Sequence, residues 1–143
     1  MRDSQRTKVY QAEELLLFPE EKIFPDIEAC QRYVDRILRS KWWKKNCLRP
    51  WIQITLSERR GGGGTAWGAN TIEIGRRSFR QMLILHELSH CAVSHLHVKH
   101  GREWCNFYLQ LVRRFAGAKI ANDLKAHFRF MKVKYSLGRS VSF

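Results

Sequence analysis

The segment RQMLILHELSHCAVSHLHVKHGREW, Arg80 to Trp104, holds five of the six histidines of this chain. Phe79, Met82, Leu83, Leu85, Leu88 and Ala92 recur in it at the spacing of a largely buried helix from about Ser78 to His95. Within that helix His86, Glu87 and His90 form the pattern HExxH. Residues four apart on a helix are separated by about 40° around the axis and about 6 Å along it. The two imidazoles therefore point the same way and can grip one metal ion. Glu87, one residue on, is angled aside, where it reaches a water on the metal rather than the metal itself. That is the geometry a zinc hydrolase needs, with Zn²⁺ acidifying the water and Glu87 taking its proton. A helix whose histidines are merely hydrogen-bonded is the plainer account. The apolar approach MLIL and the strand-like residues before it favour the metal site.

A third ligand must come from beyond the helix. His97 lies three turns past His86 on nearly the same face, but a continuing helix would carry it about 16 Å along the axis. The pattern HExxHxxGxxH also fails, because Val93 and Leu96 occupy its glycine and third-histidine positions. His100 is better placed: it follows the expected helix end, and Gly101 beside it allows the chain to reverse. Glu103 is the alternative, by analogy with sites that take a glutamate from a following helix. His95 and His97 read as bystanders.

The remaining elements suggest an α+β fold with a small antiparallel sheet and flanking helices. A first helix is expected over about Ser4 to Phe18 and a second over Asp26 to Ser40, with Asp26 as its cap. In KWWKKN, Lys41 to Asn46, the tryptophans could stack on bases, but packing inward with the lysines facing water is favoured. WIQITL, Trp51 to Leu56, and Thr65 to Gly75 read as two strands of a hairpin around a glycine-rich connection. The four glycines Gly61 to Gly64 lack the GxxxxGK[ST] phosphate-loop pattern. Trp104, Phe107, Tyr108, Leu111, Val112 and Phe115 mark a core-facing helix ended by Gly117. A last helix over about Lys119 to Met131 presents Ile120, Leu124 and Phe128.

The 143 residues suit one domain, 1–143, with a basic tail over about 125–143 that holds no acidic residue. Lys and Arg outnumber Asp and Glu by 26 to 13, a net charge of +13, so the surface should attract polyanions, nucleic acid first. The four cysteines, Cys30, Cys47, Cys91 and Cys105, form no CxxC pair, which removes zinc ribbons and thioredoxin-like motifs. Cys91 beside His90 reads as a buried helix cysteine. No signal peptide or membrane span is legible, and a cytoplasmic protein with free thiols is the simplest expectation.

HELSHCAVSHLHVKHGREW resembles the SprT-like metallopeptidase pattern, in which HExxH is followed by a separated HG and an aromatic residue. The resemblance implies a minimal zincin-like domain with His86, His90 and His100 as zinc ligands and Trp104 at the aromatic position. The whole chain is similar to a family of small HExxH metallohydrolases of actinobacteria and their phages. RDSQRTKVYQAEE, the segment before the motif and AGAKIANDLKAHF carry that likeness, which implies the host cytoplasm for a phage-encoded member. SprT-like relatives include proteases acting on DNA-bound proteins, so a protein or peptide substrate, with nucleic acid contacted through the basic surface, is implied. This chain departs from larger members by lacking a C-terminal cysteine-rich zinc module.

Two other functions compete with peptide hydrolysis by Glu87 as general base. One is a non-catalytic nucleic-acid-binding or virion-associated protein with a structural zinc. The other is a metal-dependent hydrolase of another amide, such as cell-wall peptide. Tyr108, Tyr135 and Arg102 are candidate oxyanion stabilisers between which the sequence does not choose. The strand before the active helix is a candidate edge for pairing with an extended substrate.

Overall fold

The computed structural model describes residues 2–14, 20–47, 49–58, 62–93 and 96–137. Its elements are α1 (Arg6–Glu14), α2 (Ile27–Arg39), α3 (Lys41–Asn46), β1 (Gln53–Leu56), β2 (Gly64–Trp67), β3 (Thr71–Ile74), α4 (Gln81–Ala92), α5 (Arg102–Phe115) and α6 (Ala118–Phe130). The class is α+β, as expected. The chain divides into two compact units, Lys22–Ala92 and Met1–Glu21 with Val93–Phe143. No helix among the described residues is long and apolar enough to cross a membrane.

The unit Lys22–Ala92 is built on a sheet ordered β1-β3-β2. An antiparallel hairpin between β1 and the following strand was expected, and the sheet corrects it. β1 runs parallel to β3, Gln53 opposite Thr71, and only β2 and β3 are antiparallel. The reason is a turn hidden inside Thr65–Gly75. Gly68, at φ +62, takes the left-handed conformation that glycine adopts without strain, and the chain reverses over Gly68–Asn70. One expected strand is therefore two. β3 becomes central and β2 an edge.

α2 packs beside β1. Asp26 caps it as expected, accepting from the Ala29 N–H at 2.7 Å, and Cys30, Tyr33, Val34, Ile37 and Leu38 form its buried face. Val34, Ile37 and Leu38 each contribute about 1.5–3 kcal/mol on burial. Gln31 does a second job: its amide donates to Ile52 O at 2.8 Å and accepts from Ile54 N–H at 2.7 Å. At Ile52 and Ile54 the outer edge of β1 is thereby bonded by a side chain rather than by a further strand. Ser40 ends α2 and caps α3. In α3, Trp43 is buried with its indole N–H on Arg49 O at 2.9 Å, while Lys41, Lys44 and Lys45 face solvent. The inward packing expected of KWWKKN thus holds for Trp43, and Trp42 is half-buried.

α4 begins three residues later than expected. Gln81 fixes its start, donating to Tyr33 Oη at 2.7 Å and accepting from the Lys22 N–H at 3.1 Å. Nine of its 12 residues are buried, including Met82, Ile84, Leu85 and Leu88, so it is a core helix rather than an amphipathic one. It packs on β2 and β3.

In the second unit α6 packs on both α5 and α1. The expected stripe on α5 is found: Trp104, Phe107, Tyr108, Leu111 and Val112 are buried. They are joined by Ile120, Leu124 and Phe128 of α6 and by Val9 and Ala12 of α1. Gly117, at φ +103, makes the break between α5 and α6. The expected first helix is seen as α1. Leu15 to Pro19 lie outside the described residues, as do Gly61, His95 and the end of the basic tail from Gly138.

Candidate metal centre

Helical spacing sets the first pair of side chains. His86 and His90, four apart on α4, bring their Nε2 atoms to 3.3 Å, with ring centroids 5.0 Å apart and planes inclined at 64°. His86 is 2% exposed and Glu87 5% exposed. Burial on α4 therefore limits the rotamers of both and holds them as packed groups.

β2 passes directly over this part of α4, and glycine allows it. A Cβ on Gly64 would lie 3.3 Å from Glu87 Cγ, 3.3 Å from Glu73 O and 3.4 Å from Leu83 Cδ2. A side chain here would need the Glu87 side chain or the Glu73 carbonyl to give way slightly.

His100 is set by the start of α5. Gly101 is the N-cap residue of that helix, and its N–H donates to Val98 O at 3.0 Å. Its backbone is not left-handed, at φ −76. Glycine is needed for space instead: a Cβ would meet Val98 Cβ at 3.0 Å and Val98 O at 3.1 Å. His100 is 4% exposed, its ring lying edge-on to Trp104 with centroids 4.9 Å apart and beside Tyr10 at 5.3 Å. Its Nδ1 is 2.7 Å from Asp3 Oδ2, and its carbonyl accepts from Gln5 Nε2 at 3.0 Å.

His86, His90 and His100 each offer one ring nitrogen, and the three atoms lie within 4.8 Å of one another. Two nitrogens on a tetrahedral zinc at about 2.0–2.1 Å are about 3.3–3.4 Å apart, so the α4 pair already has the required bite. Three atoms separated by no more than 4.8 Å have a common point within about 2.8 Å of each. The donor set fits a metal ion, and three neutral imidazoles suit zinc among others.

The other sequence candidates fall elsewhere. Glu103, the alternative ligand, has Oε1 3.8 Å from His97 Nδ1, and neither belongs to the converging group. Tyr108 is buried, with its hydroxyl donating to Glu13 Oε2 at 2.9 Å. Tyr135 lies against Phe128, and its hydroxyl accepts from Arg129 Nε at 2.7 Å. Arg102 is exposed at the first turn of α5. Burial first, and then the nearby Glu87 carboxylate, push the Cys91 thiol up to about 12, as suits a buried helix cysteine rather than a reactive one. Asp3, Gln5 and Tyr10 around His100 carry no local signal in the sequence.

Searches against protein-family models, curated proteins and solved structures found no match to this chain.

Proposed function

We propose that this chain is a zinc-dependent metallopeptidase of the SprT-like kind. The observation that carries the reading is the convergence of His86, His90 and His100, with the buried carboxylate of Glu87 next in sequence to the first of them. Zn²⁺, when bound, supplies Lewis acidity, acidifying water and polarising a substrate carbonyl. Glu87 is the general base that accepts the proton of the attacking water and then delivers it to the departing amine.

β2 is the element suited to align a substrate. It is an edge of the sheet, it packs on α4, and a Cβ at Gly64, its first residue, would come within 3.3 Å of Glu87 Cγ. An extended peptide pairing with Thr65–Trp67 would run past the general base, with side chains alternating between the two faces. At the other edge Gln31 already takes Ile52 O and the Ile54 N–H. The net charge of +13 favours substrates associated with DNA, which a basic surface would bring near the site.

The test is hydrolysis of casein and of a DNA-binding protein, with and without DNA, by wild type and Glu87→Gln. The reading requires that Glu87→Gln keep its zinc and lose hydrolysis. Full activity in that variant, or zinc binding with no hydrolysis by wild type, would favour a structural zinc in a nucleic-acid-binding protein. Cleavage indifferent to DNA would remove the DNA-associated substrate class.

A further inference from the structure

We infer that Asp3 is the positioning residue of the third ligand, holding His100 in the tautomer and orientation that metal binding requires. The inference rests on the proposed zinc site and extends it to the N-terminal segment, 97 residues away in sequence.

Three observations carry it. The first is the contact itself: Asp3 Oδ2 lies 2.7 Å from His100 Nδ1, the length of a charge-assisted hydrogen bond. A carboxylate can only accept, so Nδ1 carries the hydrogen. In the neutral ring Nε2 then keeps its lone pair and is the ligand atom. The second is the energetic setting of Asp3. Its Oδ1 is buried and has no hydrogen-bond partner among the described residues. Hydrogen bonding of that oxygen to the described residues therefore gives no stabilising reason for an aspartate here. Among the described residues its short polar contact is to His100. The third is the rest of the scaffold. Gln5, two residues on, donates to the His100 carbonyl at 3.0 Å, and its side chain also bonds the backbone of Lys134. One short segment thus fixes both the ring and the backbone of His100.

A carboxylate on the far nitrogen of a metal-bound histidine sets the tautomer, limits ring rotation and makes the ligand more basic. Its loss typically weakens metal binding about 10–100-fold. His86 and His90 are preset by the helix and need no such partner for their mutual spacing. His100, on a turn ahead of α5, has no helix to aim it.

The experiment measures zinc affinity by competition with a chromophoric chelator for the full chain and for Asp3→Ala, Asp3→Asn and His90→Ala. Histidine ring nitrogens of wild type and Asp3→Ala are also followed by long-range ¹H–¹⁵N NMR. The expected result is a loss of about 10–100-fold for Asp3→Ala. A smaller loss is expected for Asp3→Asn, whose side-chain oxygen still accepts from Nδ1–H. The Nδ1–H tautomer of His100 should be present in wild type and depleted in Asp3→Ala. Wild-type affinity in Asp3→Ala, while His90→Ala loses zinc, overturns the role of Asp3 and leaves the site standing. An unchanged His100 tautomer in Asp3→Ala also overturns it, even if affinity falls, because the variant would then be acting through general loosening. Absence of zinc binding by wild type, or equal binding by His90→Ala, overturns the metal site and the inference with it.

Discussion

Replacing Gln5 with alanine should destabilise the protein by about 2 kcal/mol, and the estimate follows from its three bonds to backbone groups. Gln5 is 9% exposed and lies on the path between the two ends of the chain. Nε2 donates to His100 O at 3.0 Å and Lys134 O at 3.1 Å, and Oε1 accepts from the Lys134 N–H. Three bonds at a net contribution of about 1 kcal/mol each give about 3 kcal/mol. Part of this returns, because Lys134 is exposed and its backbone can bond water. The carbonyl of buried His100 has less recourse, with the Cys105 thiol at 3.5 Å a weak substitute. Urea unfolding of the metal-free protein is the assay, and the midpoint should fall by roughly 1 M. Gln5→Glu is the sharper companion. It has nearly the same shape, but it faces two carbonyl oxygens with an oxygen in place of a donor, so its loss should equal or exceed that of alanine. A change under about 0.5 kcal/mol in Gln5→Ala, or a stable Gln5→Glu, would refute the reasoning that this side chain ties the His100 turn to the C-terminal segment.

Gly64→Val should cost about 1–3 kcal/mol by overpacking and lower activity further, since the added carbons meet Glu87 and the backbone of Glu73. Unchanged stability and turnover in that variant would mean that β2 does not constrain Glu87. Cys91 and Cys30 should resist iodoacetamide at pH 8 until the chain unfolds. Burial raises these thiols to about 12 and about 11, so about one molecule in a thousand or fewer carries a thiolate. Rapid labelling of Cys91 in the folded protein, read by mass spectrometry, would contradict its packing.

What the sequence disclosed followed the range of the interactions. The pair His86 and His90 depends on one helical turn, and the helix itself on an apolar period, so both were legible. His100 was reached by local arithmetic that excludes a continuous helix through His97, together with the glycine after it. The sheet was harder. Treating Thr65–Gly75 as one strand concealed the turn at Gly68–Asn70, and the parallel pairing of β1 with β3 has no local signature. Trp51 illustrates the same limit: it was read as the first residue of the strand WIQITL, yet it precedes β1 and is 59% exposed. Asp3 and Gln5 were out of reach, because their contacts to His100 span 97 and 95 residues. No spacing rule connects a side chain at one end of the chain to a ligand near residue 100.

The central claim is that three histidines, and not Glu103, hold one metal ion. It is tested most directly by measuring bound zinc per chain in wild type, His100→Ala and Glu103→Ala after equilibration against a weak chelator. The account predicts one zinc in wild type and in Glu103→Ala and a marked loss in His100→Ala. Full occupancy in His100→Ala with loss in Glu103→Ala would contradict it.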